Sequence, residues 1–335
     1  MIKIKLTNWN AGRNEYTFRP LLMYARNFLD IGVQFVDDGS YDIEFIGMND
    51  FINKKIPLRD SINYGIESLL NKPGEYCLFD GSDSTSLMGA YEVFSNSNAK
   101  YLFKTALTTQ EQYTIPSAFN KWFFGQKSEL DLSYQIPNNI FQNIKLSGWN
   151  LSYYNNYLNF DYSNLDKDID VCAIFQGYHK ENYDHCVRND LHYTGHRTAV
   201  WDKLKTTNTI SYEINKREYV DFISILRRSK CTISPFGMGE ICFRDFEAIQ
   251  YGSVLIKPDM GLVNTVPNIY IPYETYIPCK LDWSDLIEKI EWVKSHPAEC
   301  KDIINNSRKV LLQSCTIENL LLYWYNILRT FNQIN

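Results

Sequence analysis

Two glycines followed by an arginine and a glutamate stand out in residues 234–248, Ser-Pro-Phe-Gly-Met-Gly-Glu-Ile-Cys-Phe-Arg-Asp-Phe-Glu-Ala. Gly237 and Gly239 have no side chain, so a phosphate can approach their backbone closely. The Arg244 guanidinium can hold a diphosphate through paired hydrogen bonds. One helical turn later, the Glu247 carboxylate can accept hydrogen bonds from both hydroxyls of a ribose. The stretch therefore has the chemistry to bind a diphosphate next to a sugar ring.

Helical spacing links the charged residues of this stretch. The pattern predicts a helix that begins near Glu240, with residues 240, 244, 247 and 251 on one open face and Cys242, Phe243, Phe246 and Ile249 on the buried side. The same spacing also fits a surface ladder of salt bridges, and spacing alone leaves both interpretations open.

The elements around the stretch favour a ligand site. The β-like run at 230–233 precedes the glycines, and a helix follows them. In an open α/β sheet, ligands bind at the carboxyl ends of the strands, where helix N-termini present free N–H groups to an anion.

The whole chain repeats this alternation of strands and helices. In the first half we predict strands at 2–6, 33–36, 41–47, 76–79 and 101–107, and helices at 18–29, 58–70 and 84–94. In the second half we predict strands at 169–175, 230–233, 254–256 and 269–271, and helices at 197–204, 218–228, 283–294, 298–313 and 317–331. Residues 126–166 are rich in Asn, Ser and Tyr and indicate the end of a first domain and a linker. The sequence thus predicts two α/β domains with mostly parallel sheets.

Length and charge set limits on the function. A chain of 335 residues is too long for a single hydrophobic core and suits two domains of about 150 residues each. The net charge of −5 provides no basic field to attract nucleic acid or an anionic membrane. Residues 1–7 lack the apolar core of a signal peptide, and no window has the roughly 20 apolar residues of a membrane span. We therefore expect a soluble, cytoplasmic protein without a transmembrane segment, whose oligomeric state the sequence leaves open.

Three segments together resemble the donor-nucleotide motif of GT-B glycosyltransferases. They are Ser-Pro-Phe-Gly at 234–237, Arg-x-x-Glu-Ala at 244–248 and Tyr-Gly-Ser-Val-Leu-Ile-Lys at 251–257. The likeness is nearest to the exostosin-like and CAP10-like (protein O-glucosyltransferase-like) groups. It covers residues 225–265, and the two-domain architecture agrees with it.

The resemblance implies a fold of two Rossmann-like domains. Residues 1–160 would form the acceptor-binding domain and 167–316 the nucleotide-sugar-binding domain. The last segment, 317–335, would contain a helix that crosses back to the first domain.

The resemblance also implies an activity. The protein would be a hexosyl- or pentosyltransferase of glycan biosynthesis, moving a sugar from a nucleoside-diphosphate donor, with UDP favoured, to a saccharide hydroxyl. Arg244 would bind the diphosphate and Glu247 the ribose, without a metal or other cofactor. Retaining relatives carry two glutamates separated by seven residues, whereas Glu240 and Glu247 are separated by six. We therefore expect inverting transfer and assign Glu240 only to the donor-binding set.

Other donor and acceptor residues follow from their positions at strand ends. Arg197 opens the helix after the first strand of the second domain, and Lys257 ends the 254–256 strand, so both are candidates to bind donor phosphate. An ordinary solvated arginine or lysine fits each position as well. Asp80 and Asp83 follow the 76–79 strand and are the candidate catalytic bases, although Asp-Gly-Ser-Asp is also a common turn with a helix N-cap. Lys104 ends another strand of the same domain and is a further candidate contact.

Two other functional classes remain open. One is a nucleotide-sugar epimerase of the same fold, and the other is a carbohydrate-binding protein without catalysis. His192 and His196 have the i, i+4 spacing of a metal pair, but no acidic or Cys partner stands at ligand spacing. We therefore predict no metal site.

Overall fold

The computed structural model describes residues 1–10, 14–48, 58–82, 84–87, 89–114, 135–148, 166–175, 193–237 and 239–331. Its first part contains the strands β1 (Ile2–Thr7), β2 (Val33–Val36), β3 (Ile43–Gly47), β4 (Glu75–Asp80), β5 (Leu102–Lys104), β6 (Ala106–Leu107) and β7 (Ile144–Leu146). The helices of this part are α1 (Asn14–Met23), α2 (Ala25–Asp30), α3 (Leu58–Leu69), α4 (Ala90–Ser95), α5 (Gln110–Thr114) and α6 (Asn138–Phe141).

A parallel sheet organises these elements into a first lobe, the described residues up to 148. The strand order is β2-β1-β3-β4-β5-β7, and each neighbouring pair is parallel. Every residue of β3 is buried, as expected for a central strand covered on both faces. The carboxyl ends of β4 and β5 lie side by side, which pairs Asp80 with Lys104 across the sheet.

A second parallel sheet organises the second lobe, the described residues 166–314. Its strands are β8 (Ile169–Cys172), β9 (Tyr212–Glu213), β10 (Ser229–Ile233), β11 (Val254–Pro258) and β13 (Ile277–Cys279), in the order β13-β11-β10-β8-β9. Its helices are α7 (Tyr193–Lys205), α8 (Tyr219–Arg228), α9 (Phe243–Gln250), α10 (Leu286–Ser295) and α11 (Pro297–Ser314).

The last helix, α12 (Ile317–Arg329), packs on the first lobe. Trp324 is 1% exposed, and its ring lies 5.3 Å from that of Phe103 and 5.9 Å from that of Phe45. Tyr101 of the first lobe is also hydrogen-bonded through its hydroxyl to Thr330, just after the helix, at 2.9 Å. The predicted fold class is confirmed: two Rossmann-like α/β sheets in tandem and a last helix that returns to the first.

The lobes are joined in one further way. A short strand, β12 (Asn264–Thr265), pairs antiparallel with β6, so that Thr265 lies opposite Ala106. Because β6 follows β5 and β12 follows β11, this pair connects neighbouring ends of the two sheets. Among the described residues, no helix combines the length and the apolar character that a bilayer crossing requires.

The structure corrects several predicted elements. The predicted helix at 84–94 begins only at Ala90, and Thr85, in the predicted first turn, instead lies outside the helix and donates its N–H and hydroxyl to Glu240 of the second lobe. The predicted helix at 18–29 is two helices that meet at Tyr24. The predicted strand at 269–271 is wrong, and the edge strand is β13.

The segment interpreted as the end of the first domain and a linker also contains regular structure. Its described part includes α6 and β7, and β7 pairs with β5 at the edge of the first sheet. The predicted domain boundary between 160 and 167 stays a prediction, because residues 149–165 are not among those described.

Candidate functional site

A pocket of about 400 Å³ lies at the carboxyl ends of β8 and β10. Its polar wall combines residues from α7, from the loop after β10 and from α9, namely Arg197, Gly237, Gly239, Cys242, Arg244 and Glu247. An apolar wall is formed by Ile174, Phe222, Ile241 and Phe243. Five of the seven donor residues predicted from the sequence and its resemblance, Arg197, Gly237, Gly239, Arg244 and Glu247, therefore line one pocket of a size that suits a small ligand.

Arg244 is held firmly at the pocket. Its Nε donates to the Ile174 carbonyl at 3.1 Å, and its Nη1 lies 3.4 Å from the Ser234 hydroxyl. The guanidinium also stands over the Phe175 ring, 5.1 Å from its centre, in a cation–π contact. These contacts leave other guanidinium N–H groups to bind an anion in the pocket.

Arg197 lies against the backbone of the pocket loop, next to Gly237. Its Nε donates to the Phe236 carbonyl at 3.1 Å. A Cβ built on Gly237 would lie 2.7 Å from the Arg197 Nη2 atom, which is closer than real Cβ atoms approach. A residue with a Cβ at this position would therefore displace the end of the Arg197 side chain.

Glu247 presents a carboxylate to the pocket one turn after Arg244. The side chain is half-buried, and within the described residues its oxygens have no hydrogen-bond or ion-pair partner. Burial raises the pKa of Glu247 and Asp245 adds to this, while the nearby Arg244 charge opposes it. The carboxylate is available to accept hydrogen bonds from hydroxyls.

Lys257 lies in a buried ion pair and not at the pocket wall. It is fully buried, and its Nζ lies 3.1 Å from the Asp245 Oδ2 atom. The pocket lining does not include it. Its ammonium group is therefore engaged by Asp245, and this corrects the predicted direct contact with donor phosphate.

Asp245 connects this ion pair to the start of α9. It accepts hydrogen bonds from the Cys242 backbone N–H at 3.0 Å, the Ser234 hydroxyl at 2.5 Å and the Tyr270 hydroxyl at 2.6 Å. The bond to Cys242 is a capping contact that fixes the first turn of the helix. Because Ser234 also contacts Arg244, the network positions the arginine.

Glu240 differs most from its predicted place. The helix α9 begins at Phe243, so Glu240 precedes it and does not share a helix face with Arg244 and Glu247. Its side chain is fully buried, and its two oxygens accept hydrogen bonds from the backbone N–H and the hydroxyl of Thr85, both at 2.9 Å. Burial raises its pKa, while the Thr85 hydrogen bonds and the Lys104 charge oppose the increase. The predicted place of Glu240 in the donor set is therefore corrected to a contact between the lobes.

The candidate base Asp80 lies at the end of β4, almost fully buried. Its Oδ2 accepts from the Lys104 ammonium at 2.8 Å, and its Oδ1 from the Ser82 N–H at 2.9 Å. Lys104 is itself fully buried and also donates to the Ser82 hydroxyl. The second candidate, Asp83, lies outside the described residues.

His196 is a core residue. It is 4% exposed, and its Nδ1 accepts a hydrogen bond from the Trp283 indole N–H at 2.9 Å. Burial, with the charges of Lys257 and Arg197, lowers its pKa to about 3, so the ring is neutral. His192 lies outside the described residues, within which no cluster of three or more His, Cys, Asp or Glu side chains is arranged around a metal position.

Sequence reasoning missed several residues of the site. Asp245 stands three residues after Cys242, and an acidic residue at that position of a helix is a capping signal that could have identified it. Phe243 was predicted to be buried but is 41% exposed, as the first residue of α9, at the pocket. Phe222 reaches the pocket only through the packing of α8, and no local pattern signals this.

Comparison with curated proteins finds matches to short parts of the chain, among them the following two. The chain is 39% identical over 57 residues to uncharacterized protein 179R of Invertebrate iridescent virus 6. It is 31% identical over 93 residues to uncharacterized protein 027R of Frog virus 3 (isolate Goorha). The matches span 17% and 26% of this chain but only 5% and 10% of those proteins. No protein-family model matches the chain.

Solved structures resemble the chain over nearly its full length. An α-glucosyltransferase in complex with UDP and a 13-mer DNA has a TM-score of 0.48 at 11% identity, over 98% of this chain and 99% of that one. Anabaena Alr3699/HepE in complex with UDP has a TM-score of 0.49 at 10% identity, over 98% and 100%. A glycosyltransferase from Rickettsia africae ESF-5 has a TM-score of 0.46 at 14% identity, over 100% and 99%. At these TM-scores and identities, the likeness assigns no activity to this chain.

Proposed function

We propose that the protein is a glycosyltransferase that moves a hexose or pentose from a nucleoside-diphosphate sugar, with UDP as the favoured nucleotide, to a saccharide hydroxyl in glycan biosynthesis. The observation that supports this is the pocket of the second lobe, in which Arg197 and Arg244 share a wall with the Glu247 carboxylate. Two guanidinium cations next to a carboxylate that accepts hydrogen bonds complement a diphosphate joined to a ribose. The exostosin-like and CAP10-like resemblance stays part of this proposal.

Each portion of the donor has a counterpart in the pocket. The diphosphate would lie between the two guanidiniums and against the backbone of Gly237 and Gly239. The ribose hydroxyls would donate to Glu247. The nucleobase would lie on the apolar wall, where Phe222 offers an aromatic face. Positive charge aimed at the leaving diphosphate stabilises the transition state, so we propose that transfer proceeds without a bound metal.

The first lobe would supply the acceptor and the base. In inverting transfer, a base removes the acceptor hydroxyl proton as the oxygen forms a bond to the anomeric carbon and the bond from that carbon to the diphosphate breaks. Asp80 and Asp83 remain the proposed bases. The contacts of Asp80 are compatible with the role of base. Lys104 and Ser82 each engage one lone pair of a different oxygen, so each oxygen keeps a second lone pair that can accept a proton.

Replacement of Arg244 tests the donor site. We expect UDP to raise the melting temperature of the wild-type protein, and R244A to bind UDP about 10- to 100-fold more weakly, because charge-assisted hydrogen bonds contribute about 1.5–3 kcal/mol. A thermal-shift panel of UDP, GDP, CMP and dTDP sugars, followed by calorimetry on the best ligand, measures this.

A matched control is R217A. Arg217 lies in the same lobe but forms an exposed pair with Glu213 outside the pocket, so this variant should bind UDP like the wild type. If no nucleotide at millimolar concentration shifts the wild-type melting temperature, the donor site is wrong. Product analysis with the best donor then separates transfer to a saccharide from epimerisation of the donor and from binding without turnover.

A further inference from the structure

The pocket loop between β10 and α9, described at residues 234–237 and 239–242, is held by the first lobe. Gly237, Gly239, Ile241 and Cys242 of this loop line the pocket. Between them, the Glu240 side chain is fully buried and bonded to Thr85, which is 155 residues away in the sequence. One side of this short loop therefore lines the ligand pocket, and the other side contacts the first lobe.

The first lobe provides preorganised hydrogen-bond partners for the Glu240 carboxylate. Thr85 is fully buried, and its carbonyl accepts a 2.9 Å hydrogen bond from the hydroxyl of Tyr113, also fully buried. Lys104 faces the same region, where its charge favours the ionised form of Glu240, and Asp80 holds Lys104 in place. The N–H and hydroxyl of Thr85 satisfy one oxygen each, so both oxygens of a fully buried carboxylate are paired with the opposite lobe.

A buried carboxylate is destabilising unless its partners stay in place. The loop conformation that forms the pocket is therefore favoured only while Thr85 of the first lobe donates hydrogen bonds to the Glu240 carboxylate. The β6–β12 pair joins the lobes independently of this contact, so loss of the contact should loosen the loop without separating the lobes.

We propose that Glu240 is a positioning residue through which the first lobe fixes the donor-pocket loop, so that donor affinity depends on a Thr85 contact that does not touch the donor. The role in donor binding rests on the proposed function, whereas the coupling between Thr85 and the loop does not. By thermodynamic reciprocity, a ligand that needs the ordered loop strengthens the Glu240–Thr85 contact.

Hydrogen exchange in the absence of nucleotide tests the coupling. T85V keeps the backbone N–H but removes the hydroxyl, and E240Q removes the charge. We expect both to speed amide exchange in residues 234–242 by about tenfold, as loss of a hydrogen bond to a charged group predicts. Exchange in β11 should stay at the wild-type rate. T85S, which keeps a hydroxyl, should restore slow exchange in the loop.

A matched control is T232V. The Thr232 hydroxyl is buried like that of Thr85, but it bonds to Ser253 within the second lobe, so this variant should leave the loop at the wild-type rate. The double variant E240Q/T85V should lose less than the sum of the two single effects, because the two substitutions weaken the same contact. The inference is overturned if T85V leaves exchange in 234–242 unchanged, or if T232V speeds it as much.

UDP titration then tests the consequence for the donor. E240Q and T85V should each weaken UDP binding by about tenfold, with T85S close to the wild type. If exchange changes while UDP affinity does not, the positioning role is wrong. If the wild type binds no nucleotide, the proposed function fails, while the exchange experiment still decides whether the first lobe holds the loop.

Discussion

At the scale of single residues, the pocket depends on a close contact between a guanidinium and a glycine. The backbone of Gly237 is not in the left-handed region, so alanine is compatible with its dihedral angles. The obstacle is the Arg197 Nη2 atom, 2.7 Å from the position of an added Cβ. The glycine therefore serves the approach of the arginine and not an unusual backbone conformation.

We predict that G237A displaces Arg197 and weakens UDP binding by about tenfold, comparable to the loss of one charge-assisted hydrogen bond. Calorimetric titration with UDP measures this. In an R197A background the same alanine should have little further effect, because the atom it would contact is gone. Additive losses in the double variant would show that Gly237 acts independently of Arg197.

Glu247 gives a second prediction at this scale. Because its pKa is raised by burial, it should take up a proton at a higher pH than an ordinary glutamate. A protonated carboxyl accepts ribose hydroxyls poorly, so UDP affinity should fall as the pH decreases through this raised pKa. Titration of UDP across mildly acidic pH measures this, and E247Q should bind weakly with a flatter profile.

The phosphate groups of UDP titrate equally with both proteins, so the difference between the two pH profiles reports Glu247. E247A should also bind UDP and its 2′-deoxy analogue alike, if the carboxylate accepts the ribose hydroxyls. If E247A still distinguished UDP from its 2′-deoxy analogue as strongly as the wild type does, this role would be contradicted.

At the scale of elements, the start of α9 is fixed by buried charge. Asp245 and Lys257 are both fully buried, and Asp245 also caps the helix through the Cys242 N–H. Sequence spacing identified the charged residues of α9 but placed its start at Glu240. The helix starts at Phe243 because Asp245 caps Cys242 while Glu240 bonds to Thr85. The second of these partners belongs to the other lobe, so local patterns could not reveal it.

We predict that D245A lowers the free energy of unfolding by about 3–5 kcal/mol, since it leaves the Lys257 charge buried without its partner. Urea denaturation followed by circular dichroism measures this. The matched control is D202A, which breaks the exposed pair with Lys205 and should change stability by less than about 0.5 kcal/mol. Similar losses in the two variants would contradict the structural role of the buried pair.

At the scale of the whole molecule, the last helix completes the core of the first lobe. Trp324 packs against Phe45, Phe79 and Phe103, which lie on three neighbouring strands of the first sheet. The Tyr323 hydroxyl donates to the Leu146 carbonyl of β7. The chain therefore passes through the second lobe before it finishes the first.

We predict that W324A lowers the free energy of unfolding by about 3–5 kcal/mol, through loss of a large buried side chain. Leu322 lies on the same helix but is 56% exposed, so L322A is the matched control and should cost much less. Thermal and urea unfolding of both variants measures this. Equal losses would indicate that α12 contributes through helix formation alone and not through packing on the sheet.

The sequence by itself determined the features that depend on local pattern. Strand and helix alternation predicted two parallel α/β sheets, because buried parallel strands are continuous apolar runs and their crossover helices are amphipathic. The glycines of the loop and the Arg244–Glu247 spacing indicated a candidate site at the end of β10, because ligands bind at the carboxyl ends of parallel strands.

Only the tertiary structure decided which of the charged residues face the pocket. Arg197, Arg244 and Glu247 line it, whereas Lys257 is paired with Asp245 and Glu240 is bonded to Thr85 of the other lobe. The physical reason is that a buried charge must find a partner. Asp245, from the same stretch of sequence, pairs with Lys257, whereas Thr85, which bonds to Glu240, comes from the other lobe.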